Sequence, residues 1–247
     1  MQETTLDLDT ADGPMTTFIV HPEREGPHPL VVFQMDAAGI REELRHMARR
    51  LATSGYYVML PNLYHRSRVL ELPADAGMDR MGALMDEIDA ATVAADCAVA
   101  IAHAQSDSAA QCERIGTVGY CMSGQYAIRL AAARPDMVRA AASFHGVHLM
   151  TDAPDSPHRL MREAAAEIYI GIAELDAYAP VTEAEPLREA MARDGVRGEV
   201  EVYPGLDHGF VFPERKAGIG SPKPPYDVQG DLRHWERLIA LLRRNIG

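Results

Sequence analysis

A cysteine stands at a sharp turn near the middle of the chain, where its thiol could act as a nucleophile. A strand-like run precedes Cys121 and a helical run follows it, with Gly119 two residues before the turn. Small neighbours suit such a turn because the apex residue adopts a strained backbone conformation. The amides and dipole of the following helix favour a thiolate at its start. Free cysteines are more often inert core residues, which is the interpretation given to Cys97 and Cys112.

A carboxylate and a histidine follow the cysteine along the chain, each after a further strand-like run. These are Asp176 and His208. In hydrolytic groups of this order the histidine takes the proton of the nucleophile and the carboxylate orients the imidazole. Glu174 competes with Asp176, which is preferred because it lies further past the end of its strand. Asp207 is too close in sequence to orient its neighbour His208.

The elements that must position these residues alternate between strand and helix. Two short strands at residues 4–8 and 15–20, joined by Asp12-Gly13, predict an N-terminal hairpin. Further strands are predicted at residues 30–35, 56–60, 114–120, 138–144, 167–171 and 198–203, and helices at 41–54, 78–105, 123–134, 182–194 and 227–245. This order predicts an α/β fold with a mostly parallel central sheet, helices on both faces and an antiparallel edge hairpin. Residues 1–247 are expected to form one domain.

Composition narrows the possible partners. The formal net charge is −12, which repels nucleic acid and anionic membrane surfaces. No apolar run is long enough to cross a bilayer, and the N-terminus lacks the features of a signal peptide, so a cytoplasmic protein is expected. Three cysteines with no paired spacing form no disulfide framework.

A proline- and glycine-rich segment at residues 212–230 contains Lys216 and Lys223, the only lysines of the chain. Lysine is almost never fully buried, so this segment is predicted to be an exposed loop. It lies over the site or forms a plain surface loop.

The chain resembles the dienelactone hydrolase family of α/β-hydrolases, which has a Cys-Asp-His triad in this order. The resemblance runs from about residue 16 to the C-terminal helix. It rests on these markers: Gln34-Met35-Asp36-Ala37-Ala38-Gly39, Gly55-Tyr56-Tyr57-Val58, Pro61-Asn62-Leu63-Tyr64, Gly119-Tyr120-Cys121 and His208-Gly209-Phe210. It implies an α/β-hydrolase fold and hydrolysis of a lactone or activated ester through a thioester, without metal or organic cofactor.

The resemblance also implies roles for individual residues. Cys121 becomes the nucleophile, His208 the base and Asp176 the orienting carboxylate. Asp36 falls where the family has a glutamate that holds the cysteine until substrate arrives, although here the side chain is shorter. Its alternative role is to cap the helix that begins near residue 41. The backbone amides of Ala37 and Met122 are expected to form the oxyanion hole.

Substrate contacts are expected from five side chains: Tyr64, Arg66, Arg80, His145 and Phe212. In the prototype enzymes two arginines bind the carboxylate of the lactone. One of those positions falls on Phe212 here, and an aromatic pocket position falls on His145. The departure favours an ester that is less charged than the family's lactone.

The residues alone leave two other interpretations of the function open. An activated Cys121 would also suit a redox- or electrophile-sensing protein without turnover. His145, His148, Asp152 and His158 are potential ligands, but their spacing matches no zinc motif, so no metal is expected. The expected partner is a small ester or lactone, and the expected assembly is a monomer or homodimer.

Overall fold

The computed structural model describes residues 1–73, 75–215 and 224–247. Eight strands form one sheet in the order β1-β2-β4-β3-β5-β6-β7-β8. The strands are β1 (Gln2–Thr10), β2 (Gly13–His21), β3 (His28–Gln34), β4 (Tyr57–Pro61), β5 (Ala110–Tyr120), β6 (Val138–Phe144), β7 (Glu167–Ala173) and β8 (Gly198–Tyr203). Strands β3 to β8 pair in parallel with one another, which confirms the predicted fold class.

Helices cover both faces of the sheet. They are α1 (Glu42–Thr53), α2 (Met78–Asp86), α3 (Ala90–Ser106), α4 (Gly124–Ala133), α5 (Pro157–Leu160), α6 (Ala184–Asp194) and α7 (Val228–Asn245). Helices α1 and α7 share one face, where the Arg50 guanidinium lies over the Trp235 ring. Helices α3 to α6 pack on the other face. The central strands are buried on both sides, as their continuous apolar runs require.

The N-terminal hairpin forms the edge of the sheet, as predicted. Strand β1 pairs antiparallel with β2, and β2 pairs antiparallel with β4. Gly13 follows the turn with φ of 112°, a conformation that favours glycine. The hairpin adds two strands beyond β4 and leaves the carboxyl ends of the parallel strands open for loops.

One predicted helix is wrong. Residues 78–105 form two helices, because α2 ends at Asp86 and α3 begins at Ala90. Asp89 caps α3 by accepting a hydrogen bond from the Thr92 amide at 2.8 Å, and the Thr92 hydroxyl lies 2.9 Å from the Asp89 amide. This reciprocal capping box gives α3 its own N-terminus.

The turn between β5 and α4 raises Cys121 above the sheet. Cys121 has φ of 54° and begins a single 3-10 turn, Cys121–Ser123, that leads into α4. Left-handed backbone is costly for a residue with a side chain and is found where the surroundings enforce it. A Cβ atom on Gly119 would overlap the carbonyl oxygen of Ser123. Glycine at residue 119 therefore permits the close backbone approach on which the turn depends.

We expect Gly119→Ala to lower the free energy of unfolding by about 2 to 3 kcal/mol, because the added methyl group would have to displace backbone. Urea unfolding would measure the loss. Gly82→Ala is the matched control, since a Cβ at residue 82 meets no heavy atom within 4 Å. That variant should be unchanged or up to about 1 kcal/mol more stable. Equal losses in the two variants would contradict a steric requirement at Gly119.

Candidate active site

Four side chains of the predicted site follow different parallel strands. Asp36 follows β3, Cys121 follows β5, Asp176 follows β7 and His208 follows β8. The carboxyl ends of parallel strands meet at one edge of the sheet, where ligands bind in α/β proteins. Residues separated by more than 170 positions in sequence thus lie at the same edge.

Asp176 and His208 form a buried pair. Asp176 Oδ2 lies 2.7 Å from His208 Nδ1, and both side chains are almost completely removed from solvent. The other oxygen, Asp176 Oδ1, accepts hydrogen bonds from the amides of Tyr178 at 2.8 Å and Ala179 at 3.0 Å. The turn after β7 therefore holds the carboxylate in position, and the carboxylate orients the imidazole.

The competing acids have other partners. Glu174 Oε2 accepts a hydrogen bond from the Gly205 amide at 2.7 Å in an exposed position. Asp207 Oδ1 accepts from the backbone amide of His208 at 2.7 Å rather than from its ring. Of the three candidate acids, the geometry pairs only Asp176 with the imidazole of His208.

The pKa of His208 depends on its neighbours. Burial alone would favour the neutral ring, but the charge of Cys121, the hydrogen bond to Asp176 and the contact with Cys121 outweigh it. Together they raise the pKa of His208 to about 9. A raised pKa favours the protonated form of the ring, which is the form that can donate a proton.

Two aromatic side chains pack against the His208 ring. The centroid of His145 lies 4.7 Å away and that of Tyr178 lies 5.0 Å away, both in edge-to-face geometry. His145 is completely buried, and neither ring nitrogen has a hydrogen-bond partner among the described residues. Burial, together with the charges of His208 and Arg215, holds the pKa of His145 well below its usual value. His145 is therefore an uncharged ring that packs against His208.

Asp36 is paired with an arginine. Its Oδ1 accepts hydrogen bonds from Arg41 Nη1 at 2.6 Å and from the Ala38 amide at 3.0 Å. Arg41 also donates from Nε and Nη2 to Glu43 Oε2, at 2.9 and 2.6 Å. Burial opposes the charge of Arg41, but both carboxylates raise its pKa above the usual value. Asp36 does not cap α1: the N-cap is Arg41, which has no side-chain cap, so this alternative is wrong.

The Arg41 cluster reaches the loop that follows His208. The guanidinium lies 4.9 Å from the centroid of the Phe212 ring, a cation-π contact. Glu43 Oε1 accepts a hydrogen bond from the Glu214 amide at 2.7 Å. The cluster of Asp36, Arg41 and Glu43 thereby connects the turn after β3, the start of α1 and the loop after β8.

The segments that carry Ala37 and Met122 are fastened to each other. The Tyr64 hydroxyl donates to the Ala37 carbonyl at 3.2 Å and lies 3.2 Å from the Met122 sulfur. Ser123 Oγ donates to the carbonyl of Met35. Met122 lies within the first turn after Cys121, where backbone amides lack helical acceptors. Two amides expected to bind an oxyanion therefore belong to one rigid unit.

A cavity of about 330 Å³ opens beside Cys121, large enough for a small ligand. Its described lining is Asp36, Ala37, Ala38, Arg41, Glu43, Glu71, Leu72, Pro73, Ala76, Met81, Cys121, Glu214 and Arg215. Part of the proline- and glycine-rich segment at residues 212–230, for which a position over the site and a plain surface loop were both open, lines the cavity through Glu214 and Arg215. Lys216 and Lys223 lie outside the described residues.

None of the five side chains expected to contact substrate is in this lining. Tyr64 is buried beneath the Ala37 turn, and His145 and Phe212 are fully buried behind the cavity. Arg66 pairs with Asp96 at 2.8 Å and with Asp12 at 2.8 Å, and Arg80 is exposed on α2. Sequence reasoning missed Arg41, Glu43 and Tyr178, because no local motif marks a side chain whose partners come from other loops.

A larger open groove of about 620 Å³ lies at the opposite edge of the sheet, where β3 and β4 begin. Its lining includes His28, Tyr56 and Arg243, but not Cys121, Asp176 or His208. Within the described residues, no three His, Cys, Asp or Glu side chains are placed to hold a metal ion. None of the helices described is both long and apolar enough to span a bilayer.

The eight-stranded sheet and its flanking helices define the class of the α/β-hydrolases. The profile of the dienelactone hydrolase family matches residues 15–246. The chain belongs to the dienelactone hydrolase family, and the prediction that it is a hydrolase of this family is confirmed.

Individual relatives are distant in sequence. The carboxymethylenebutenolidase of Rhodococcus opacus is 25% identical over 222 residues, which cover 89% of this chain and 82% of that protein. A dienelactone hydrolase-like promiscuous phosphotriesterase from metagenomic libraries has a TM-score of 0.83 at 18% identity, covering 100% of this chain and 99% of the other. A dienelactone hydrolase from Anabaena variabilis has a TM-score of 0.65 at 15% identity, with the same coverage. The two structures share the fold.

Removing the Cys121 sulfur should lower the pKa of His208. In the wild type we expect the ring to lose its proton as the pH rises through about 9. In Cys121→Ala, burial still lowers the pKa of His208, but the contribution of Cys121 that raises it is lost. The ring should therefore lose its proton at lower pH. NMR of labelled histidine side chains would follow the titration, with Cys112→Ala as the matched control. The same His208 pKa in both variants would contradict a direct interaction with Cys121.

Removing the Arg41 guanidinium should destabilise the fold. We expect Arg41→Met to lower the free energy of unfolding by about 3 kcal/mol, because two buried carboxylates lose their shared cation. Burial raises the pKa of Glu43, an effect that Arg41 opposes. Without Arg41, Glu43 would take up a proton as the pH falls, so the loss should be smaller at pH 5 than at pH 8.

Denaturant unfolding at the two pH values would measure this difference. Arg45→Met is the control, since Arg45 pairs with the exposed Glu42 at 3.5 Å and should contribute less than about 1 kcal/mol. Equal losses from the two variants, or a loss from Arg41→Met that does not change with pH, would contradict the role given to Arg41.

Proposed function

We propose that the protein hydrolyses a lactone or an activated carboxylic ester through a thioester on Cys121. The observation that carries the proposal is the buried Asp176–His208 pair, joined at 2.7 Å, which lies at the same edge of the sheet as Cys121. With Cys121 as the nucleophile and His208 as the proton donor, the site has the groups that acyl transfer requires.

The proposed reaction begins with attack of the Cys121 thiolate on the carbonyl carbon of the ester. The carbonyl oxygen becomes an oxyanion, stabilised by the amides of Ala37 and Met122. As the tetrahedral intermediate collapses, the carbon–oxygen bond of the ester breaks and the His208 imidazolium gives its proton to the leaving alkoxide. The neutral His208 then takes a proton from water, whose oxygen attacks the thioester carbon. Collapse releases the carboxylic acid and restores the thiolate and the imidazolium.

Asp176 and Asp36 have supporting roles in this proposal. Asp176 keeps the imidazole oriented and stabilises its charge. One carboxylate oxygen faces the ring, and the other accepts hydrogen bonds from two backbone amides. Asp36 fixes the turn that carries Ala37, since it binds both the Ala38 amide and Arg41. A carboxylate held by those two donors supports a static role for Asp36 rather than a substrate-driven switch.

Acylation of Cys121 tests the proposal. Brief exposure to a 4-nitrophenyl ester should add one acyl group to the peptide that contains Cys121, and Cys121→Ala should lose hydrolysis. His208→Ala should slow acylation by about 10³-fold or more, because both the base and the proton donor are removed. Quenched-flow mass spectrometry and release of 4-nitrophenol would measure adduct and turnover.

Cys112→Ala is the control for the cysteine substitution and should retain activity, since Cys112 lies on β5 away from the cavity lining. Full activity of Cys121→Ala would exclude a cysteine nucleophile. A stable adduct on Cys121 with no further turnover would instead favour a sensing protein that uses the same thiol.

A further inference from the structure

The cavity beside Cys121 carries more negative than positive charge. Its described lining contains four carboxylates, Asp36, Glu43, Glu71 and Glu214, and two guanidinium groups, Arg41 and Arg215, which leaves a formal charge of −2. If the buried Glu43 takes up a proton, the formal charge of the described lining becomes −1. The lining is acidic in either case.

Arg41, the buried cation of this lining, is already engaged by the protein. All three of its nitrogens donate to carboxylates, Nη1 to Asp36 and both Nε and Nη2 to Glu43, and its flat face lies on Phe212. One positive charge faces two negative charges. Arg41 therefore acts as a counter-ion for its own chain and has no net charge left for a substrate.

The rim of the cavity also carries more negative than positive charge among its described residues. Glu71 and Glu214 are both exposed and line the opening. Arg215 is the one cation among the described residues of the rim, and it packs across Gly209, the residue after His208. From these described rim residues, a substrate carboxylate would meet two like charges for each opposite charge.

We infer that this cavity takes acyl groups without a negative charge and rejects those that bear a carboxylate. The inference rests on the proposed function, whose substrate class it narrows. A carboxylate loses hydration when it enters a cavity, and this cost is recovered only by a cation and hydrogen bonds of good geometry. Here the buried cation is already paired, and the exposed charges oppose the approach.

A matched pair of substrates tests the inference. The 4-nitrophenyl esters of glutaramic acid and glutaric acid have acyl chains of equal length and nearly equal shape, ending in a carboxamide and a carboxylate. We expect kcat/KM to be about tenfold higher for the carboxamide, after correction for spontaneous hydrolysis. The difference should shrink at 1 M salt, because rim charges are screened.

Variants locate the effect. Glu71→Gln combined with Glu214→Gln should raise kcat/KM for the carboxylate ester several-fold relative to the carboxamide ester. Glu236→Gln combined with Glu87→Gln is the control, because it also removes two negative charges but from residues outside the described cavity lining, and it should leave the ratio unchanged. Equal effects of both pairs would overturn a local origin.

Equal rates for the two esters, or a faster carboxylate ester, would overturn the inference while leaving the thioester mechanism intact if Cys121 is still acylated. A carboxylate preference that disappears in Arg215→Gln would show that Arg215 binds the substrate, which also overturns it. Absence of Cys121 acylation by both esters would refute the proposed function itself.

Discussion

The buried guanidinium of Arg41 holds together three segments that the sheet merely brings close to each other. It pairs with Asp36 after β3 and with Glu43 in the first turn of α1, and it lies on Phe212 in the loop after β8. Loops have few backbone partners of their own, so their relative positions depend on such side-chain contacts. The Ala37 turn and the His208 loop are both attached to this cluster, which sets the geometry between the two sides of the cavity.

Other side-chain contacts also hold the segments of the site in position. Tyr64 and Ser123 fasten the Ala37 turn to the segment after Cys121. On the other side, Tyr178 and His145 enclose the His208 ring, and Asp176 binds it. The reactive groups are thus held by packed and hydrogen-bonded neighbours on every side, while the half-buried thiol of Cys121 borders the cavity. Preorganisation of this kind allows charge to develop during acyl transfer without rearrangement of the protein.

Charge is distributed differently in the two halves of the site. On the His208 side the imidazole is paired with Asp176, whereas the described lining of the cavity carries an excess of carboxylates around Arg41. The first arrangement supports proton transfer. The second is the basis of the inferred preference for uncharged acyl groups, because an excess of buried or rim carboxylates disfavours another anion. Phe212, which the family resemblance predicts to replace an arginine, packs its ring against Arg41.

The sequence alone determined the order of the elements and of the reactive residues. Alternating strand and helix patterns force a parallel sheet, and a parallel sheet places whatever follows β5, β7 and β8 at one edge. Cys121, Asp176 and His208 could therefore be singled out before any contact was known. The start of α3 was also encoded locally, in Asp89 and Thr92, although the alanine-rich pattern hid it.

Only the tertiary structure decided which side chains meet across that edge. Arg66, a candidate for substrate binding, is paired with Asp96, and the cavity is lined by Arg41 and Glu214, which no motif marks. Such partners lie up to 171 positions apart, as for Glu43 and Glu214. Their contact depends on how loops pack once the sheet has formed, and periodicity and spacing carry no information about that packing.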